Sequence, residues 1–410
     1  MNNTILTKEV LGAIDKLHSI SDELKEFIVE KEEMLHIIKL ALVSQKNAFF
    51  LGATGQSKSF TIREFTKRIT KAKYYEKLMD KQSDKTEIFG KISIPELQKG
   101  REIYVKKNKL SEAHIATLDE FWKSGDTLLN TLLKVLNREE ITLGEEVIKP
   151  PLISVFTASN EIPNFKKKEE EILYPLYNRL HLKLVTKYIE KKDNFKFAAR
   201  AKRARKANQI KATISLDELI MLGEKAWEVE VPDHIDDLLW DICTAIKTEL
   251  NRDVSDRKKI EYSIICQANA LLNKRDTVIP EDLIVLKYYL WELPEEYQKI
   301  EEIITRYAEN PLKDEIMNIK ETALEIIDDS ISNIEELNIR QKHKAFNKAE
   351  NELFTLHNTL IELKEKANSI KDEKLIEETE NQLQELYDKL NKEFKFTPMS
   401  IEEGKARKGF

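Results

Sequence analysis

The chain has 410 residues, room for two or three domains. Hydrophobic residues make up 41% and charged residues 34%, which allows a sizeable core and argues against wholesale disorder. The formal charge is −6, so no overall basic field draws nucleic acid, and such a contact needs a local patch.

Only Cys243 and Cys266 occur, which excludes a disulfide scaffold and a Cys-based zinc site. The first residues lack a basic stretch followed by an apolar one, so no signal peptide is read. No stretch approaches the roughly 20 apolar residues of a membrane span. A cytoplasmic protein with no membrane span is expected. Six of the ten glycines lie between Gly52 and Gly144, and none falls between Gly223 and Gly404. Glycine marks backbone that other residues avoid. A loop-rich α/β body is expected first, then long helices.

Residues 8–45 read as two helices, with Leu24, Phe27, Ile28, Met34, Ile37, Ile38 and Leu42 at helical spacing. Asn47-Ala-Phe-Phe-Leu51 is a short apolar run, followed by Gly52 to Gly55 and a helical pattern from Ser59 to about Ile69. His114 to Glu120 is a second strand ending in carboxylates, and Leu128 to Leu136 an apolar-faced helix. Glu139 to Lys149, centred on Leu143-Gly144, reads as a hairpin. Leu152 to Ala158 is a third strand, closed by Ser159 and Asn160, and Leu182 to Val185 a fourth. Buried strands separated by helices predict a mostly parallel sheet with helices on both faces.

Lys191 to Gln209 is strongly basic and reads as a linker or helix; its members include Lys192, Lys196, Arg200, Arg203 and Arg205. Residues 215–292 carry four helical patterns: Leu216–Glu228, Pro232–Leu250, Arg257–Leu272 and Pro280–Leu290. Residues 311–410 hold 16 basic and 22 acidic residues and three apolar stripes of helical period, with breaks near Asn338 and Ser369. Three antiparallel helices are expected, or one extended coiled coil. Gly404 to Phe410 reads as a frayed tail. The expected divisions are an αβα part at 1–190, a basic linker at 191–212, an all-α part at 213–296 and a helical accessory module at 297–410.

Gly52-Ala-Thr-Gly-Gln-Ser-Lys-Ser59 is the strongest signal. A phosphate chain needs several backbone N–H donors converging at a helix N-terminus, plus a cation. Gly52 and Gly55 let the backbone curl, with Gln56 and Ser57 completing the cradle. In such a loop Lys58 would reach the β- and γ-phosphates, and Ser59 would place its hydroxyl on Mg²⁺. Ser57 stands where G-x-x-x-x-G-K-[ST] has glycine, and a plain glycine turn would look similar. The setting between an apolar run and a helix favours the phosphate loop. Asp119 and Glu120 end an apolar run about 60 residues later. Asp119 suits the magnesium water shell and Glu120 a general base toward water. Asn160, at a strand end, is a candidate for orienting that water, although an Asx turn would read alike. Arg179, in Tyr177-Asn-Arg-Leu180, could stabilise phosphate charge across a subunit boundary. Arg257, opening a helix of the second domain, could reach over the nucleotide.

The order of these parts resembles the AAA+ ATPases of the MoxR group, and within it the RavA-type regulatory ATPases. The likeness rests on the loop Gly52–Ser59, Glu87-Ile-Phe-Gly90, Leu118-Asp-Glu-Phe-Trp-Lys-Ser-Gly125, Leu129-Asn-Thr-Leu-Leu-Lys134, Ala158-Ser-Asn-Glu-Ile-Pro163 and Leu176-Tyr-Asn-Arg179. Val254-Ser-Asp-Arg257 and Pro280-Glu-Asp-Leu-Ile-Val-Leu-Lys287 extend it into the second domain, so that it covers about residues 10–295. The resemblance implies an AAA+ core with a helical lid and a hexameric ring with ATP between neighbours. It also implies a partner bearing a von Willebrand factor A domain, and protein complexes as what is remodelled. It makes Lys58 and Ser59 the Walker A pair, Asp119 and Glu120 the Walker B pair, Asn160 sensor 1, Arg179 the finger in trans and Arg257 sensor 2. The hairpin at 139–149 resembles the insert before sensor 1 in this clade. Thr54 replaces the family's usual proline, and nothing after residue 300 resembles the strand-rich insertion of enterobacterial RavA. A DNA-acting motor or restriction-type translocase is the alternative, supported only by the basic run at 191–206, so nucleic acid is not the expected partner.

Overall fold

Four consecutive buried residues, Ala48–Leu51, form the strand around which the main sheet is built (β1). The computed structural model describes residues 5–204, 206, 209–309, 312–332, 338–367 and 370–409. Arg205 and Ser369 lie outside them. The chain divides into two units: Met1–Pro232 with Asp253–Val278 and Val285–Ile300, and Asp233–Arg252 with Ile279–Ile284 and Glu301–Phe410.

In the first unit β1 joins Tyr74–Leu78 (β2), Ile115–Asp119 (β3), Ser154–Ser159 (β4) and Leu182–Val185 (β5). The order is β5-β1-β4-β3-β2, and every pairing is parallel. Strands β1 and β4 are buried along their whole length, as a covered parallel sheet requires. The outer strand β2, Tyr-Tyr-Glu-Lys-Leu, was not among the strands expected from the sequence. It is an edge strand with only Tyr75 buried, so it carries charge and lacks a continuous apolar run.

Helices Lys8–Lys25 (α1) and Glu32–Ser44 (α2) precede the sheet, and Lys58–Thr66 (α3) follows β1. Asp126–Leu136 (α4) buries Leu128, Leu129, Leu132, Val135 and Leu136. Helix α4 leads into an antiparallel hairpin, Ile141–Leu143 against Glu146–Ile148, which turns at Gly144 with φ 57°. The basic run is helical over Lys192–Arg203 (α5), with Ala201 its buried residue. Leu216–Ala226 and Ser263–Leu272 both pack on α2. The pattern Arg257–Leu272 resolves into two helices, Asp256–Glu261 (α6) and Ser263–Leu272. Pro280–Tyr288 is a 3-10 helix rather than the expected α-helix.

In the second unit Lys313–Ile331 (α7), Ile339–Lys366 (α8) and Ile370–Glu393 (α9) share one apolar core, including Ile316, Ile327, Leu353, Leu360, Ile376 and Leu390. Lys364 meets Glu380 at 3.0 Å and Glu350 meets Tyr387 at 2.7 Å, so α8 runs against α9. This is a bundle, not an extended coiled coil. Asn338 caps α8 through a reciprocal bond pattern with Gln341. The expected frayed tail is instead a helix, Ile401–Lys408 (α10), opened by a capping box between Ser400 and Glu403. Gly404 lets α10 lie close: a Cβ there would stand 2.5 Å from the Tyr387 hydroxyl and 2.8 Å from Phe354 Cζ. Among the described residues no helix is long and apolar enough to cross a membrane.

Candidate nucleotide site

A parallel sheet exposes the loops at its carboxyl edge, where strand ends and helix N-termini meet. The loop 52–57 leaves β1 at that edge and feeds α3. Gly52 N–H donates to Ser159 O at 3.0 Å, which ties the loop to the end of β4. A Cβ on Gly52 would fall 2.2 Å from both Gln56 Oε1 and Thr186 Oγ1, so this closely folded loop needs glycine. Gln56 is buried and accepts from Thr186 Oγ1 at 2.5 Å, bracing the loop on the end of β5. Ser57 takes φ 62°, the left-handed region. That is why glycine is usual at this position, and serine carries a backbone cost of about 1 kcal/mol there.

Lys58 Nζ donates to the carbonyls of Gly52 at 2.6 Å and Ala53 at 2.9 Å, so its ammonium lies inside the loop's curl. Burial pulls its pKa below the ordinary lysine value, with Asp119 and Glu120 opposing that shift. Ser59 Oγ donates to Asp119 Oδ2, joining the start of α3 to the end of β3. Glu120 follows with φ 51°, and its own N–H donates to Asp119 Oδ1 at 2.9 Å. The turn separates the two carboxylates, leaving Asp119 with Ser59. Glu120 Oε2 stands 3.2 Å from Lys123 Nζ, yet it is buried without a hydrogen bond. Asn160 is exposed just beyond β4, between β1 and β3 in the sheet. Loop curl, internal cation, hydroxyl–carboxylate pair and second carboxylate fit a magnesium nucleotide. Ser59 and Asp119 would hold the metal.

Beside the loop lies a cavity of about 280 Å³, lined by Phe27, Ile28, Gly55, Ser57, Phe60 and Tyr188 among others. Its walls are locked together. Glu30 accepts from the amides of Glu190 at 2.8 Å and Lys191 at 3.0 Å and from Asn194 at 2.8 Å. These bonds, the Glu190 amide first, hold its carboxyl down to about 2. Lys31 Nζ donates to Lys187 O at 2.6 Å, and Tyr188 OH donates to Thr54 O at 3.2 Å. An apolar, aromatic-edged pocket next to a phosphate cradle suits a nucleobase. Beyond Gly55 and Ser57, sequence reading missed this wall; its one signal was the apolar Phe27-Ile28-Val29 run just before charged 30–33.

The two arginines are elsewhere. Arg179 precedes β5, whose first residue Leu182 pairs with Ala48 at the start of β1. Asn47, at that same foot, donates to Arg179 O at 3.1 Å. Arg257 donates through Nε to Glu261 at 2.7 Å, and Glu261 meets Lys46 at 2.9 Å. Arg179 and Arg257 line one cavity of about 310 Å³ with Asn178, His181 and Lys258. Three buried polar atoms on its wall lack hydrogen bonds: Asn178 Oδ1, Arg179 Nε and His181 Nδ1. The structure thus groups the loop, Asp119, Glu120 and Asn160 at the strands' carboxyl edge. It groups Arg179 with Arg257 at the amino edge, about 13 Å away along a four-residue strand. Arg257 is not brought over the phosphate loop of its own chain.

A family model described as the MoxR domain of MoxR-vWA-beta-propeller ternary systems matches residues 15–224, and an AAA lid domain model matches residues 234–304. Two uncharacterized proteins of Methanocaldococcus jannaschii are similar. One is 34% identical over 325 residues, covering 76% of this chain and 81% of that protein. The other is 31% identical over 286 residues, covering 69% and 74%. A crystal structure described as a candidate ATPase from Cytophaga hutchinsonii ATCC 33406 shares the fold, with TM-score 0.59 and 16% identity, over 72% of this chain and 96% of that one.

Proposed function

Since the chain belongs to the MoxR group of AAA+ ATPases, we propose that it hydrolyses ATP at a site completed by a neighbouring copy of itself. One observation carries this reading: Arg179 and Arg257 share a cavity at the edge of the sheet opposite the phosphate loop. A chain with that layout cannot place Arg179 on its own γ-phosphate, whereas a second copy docked edge to edge can. Closed rings follow when such a head-to-tail contact repeats and closes, and the family resemblance makes six the expected number.

Within one subunit Gly52, Gly55, Gln56 and Ser57 shape the cradle, and Lys58 exchanges its loop carbonyls for phosphate oxygens. Bound Mg²⁺ would neutralise phosphate charge as it develops, with Ser59 and Asp119 as its protein partners. Glu120, buried at Oε2 without a hydrogen bond, takes the proton of the attacking water. Asn160 orients that water from the end of β4. Arg179, with Arg257 beside it, meets negative charge on the neighbour's transferring phosphoryl group. The buried, unpaired Nε of Arg179 supports this role, since a polar group without a partner suits a ligand still to come.

Remodelling or assembly of protein complexes is the work this hydrolysis would drive, with a von Willebrand factor A domain protein as partner. The name of the matching MoxR model supports that partner. The helical region from 297 onward would recruit or orient it. Comparing the turnover of Arg179→Ala and Arg257→Ala with their nucleotide affinities tests the shared site. Lost turnover at unchanged affinity supports it, whereas lost affinity would place the arginines on their own chain's nucleotide.

A further inference from the structure

Glu261 closes the short helix α6, one turn beyond Arg257. Its two oxygens are divided. Oε1 accepts from Arg257 Nε at 2.7 Å, and Oε2 accepts from Lys46 Nζ at 2.9 Å with His181 Nε2 3.7 Å away. Lys46 adjoins Asn47, whose amide nitrogen donates to the carbonyls of Arg179 at 3.1 Å and Leu136 at 3.2 Å. Asn47 Oδ1 in turn accepts from Val155 N–H at 3.2 Å. One carboxylate therefore holds Arg257 directly and is anchored at the foot of β1, where the Arg179 backbone is also fixed. Among the described residues the terminal nitrogens of Arg257 make no hydrogen bond, so the guanidinium is gripped at Nε and its fork is left for an anion.

We propose that Glu261 is a positioning residue for ATP hydrolysis: it sets the orientation of Arg257, and the spacing between Arg257 and Arg179, toward the phosphates of the neighbouring chain. The inference rests on the reading of both arginines as acting in trans. A purely structural role explains the arrangement less well. Arg257 is 49% exposed, and a half-exposed pair one helical turn apart adds little to folding. Its value lies in geometry, because a flexible arginine meets a phosphate productively only when its approach is fixed beforehand.

The test uses the full chain carrying Glu261→Gln, Lys46→Gln or Arg257→Ala. The measurements are steady-state ATPase kinetics, affinity for a fluorescent ATP analogue, thermal melting and assembled mass. Glu261→Gln is expected to lower kcat about tenfold or more with analogue affinity and assembly unchanged. Lys46→Gln keeps the Arg257–Glu261 contact but loosens the anchor of Glu261, and is expected to lower kcat by clearly less than Glu261→Gln does. Mixing Glu261→Gln with Lys58→Ala subunits is expected to recover turnover, because the latter present an intact arginine pair. Mixing it with Arg257→Ala is expected to recover none. Should Glu261→Gln fail to assemble, Glu261→Asp, which keeps the charge but withdraws it by a methylene, is expected to show the same kcat loss at unchanged affinity. Wild-type kcat in both Glu261 variants, or an equal loss in Lys46→Gln, overturns the proposal. Wild-type kcat in Arg257→Ala instead overturns the reading beneath it.

Discussion

Ser59 donates its hydroxyl to Asp119 across the gap between the start of α3 and the end of β3. That contact brings together two stretches 60 residues apart and joins the end of the glycine loop to the strand that carries Asp119 and Glu120. Lys58 and Glu120, the neighbours of this pair in sequence, should separate binding from chemistry. Lys58→Ala removes the cation inside the loop and is expected to abolish ATP binding. Glu120→Gln keeps the shape but cannot take a proton, so it should bind ATP and lose about 100-fold or more in turnover. Nucleotide titration beside steady-state kinetics checks both. Normal turnover in Glu120→Gln would remove Glu120 from the base role.

Ser57 occupies a left-handed backbone position at the loop's end. Ser57→Gly should relieve that strain, raising stability by about 1 kcal/mol while ATP turnover stays within a few-fold of wild type. Denaturant unfolding and an ATPase assay check it. Destabilisation by glycine would mean that the serine side chain supplies more than its backbone costs.

The C-terminal helix should be as dependent on a glycine. Gly404→Val would drive side-chain carbons into Tyr387 and Phe354, and overpacking of that kind costs about 1–3 kcal/mol. A lower melting temperature is expected for the bundle signal, with Gly404→Ala falling between. An unchanged melt would mean that α10 does not pack on α9 in solution.

His181 is buried beside Glu261, and burial first of all lowers its pKa to about 4. Its folded value lies below the ordinary 6.5, so the unfolded chain binds the proton more tightly. The stability this group supports is intact above pH 6.5 and is lost as pH falls toward 4. His181→Gln should therefore flatten part of the acid-side slope between those values. Unfolding free energies measured across that window decide it. Parallel curves for variant and wild type would remove His181 as a contributor.

Much of the candidate site is legible because its pieces are local. Gly52 to Ser59 and Asp119-Glu120 announce themselves within a few residues, and the apolar runs around them give β1 and β3. What the sequence hid depends on tertiary placement. Strand β2 sits at an edge, so Tyr74 to Leu78 lacks the apolar run that marks its neighbours. The cavity beside the loop is braced by Glu30 accepting from the amides of Glu190 and Lys191, a pairing across 160 residues. Arg257 was expected near its own nucleotide, but Glu261 and Lys46 fix it at the opposite edge. Residues 404–410 read as a frayed tail because they are the last few residues, although Ser400 and Glu403 spell out a capping box. There the glycine serves close packing rather than a turn.

The shared site is tested most directly by mixing two inactive variants, Lys58→Ala, which cannot bind ATP, and Arg179→Ala, which cannot complete a neighbour's site. Each alone should be without turnover. In mixed assemblies an Arg179→Ala subunit holding ATP beside a Lys58→Ala subunit receives an intact arginine, so activity should reappear and peak at intermediate ratios. No activity at any ratio, in assemblies shown to contain both variants, would contradict a site completed by the neighbouring chain.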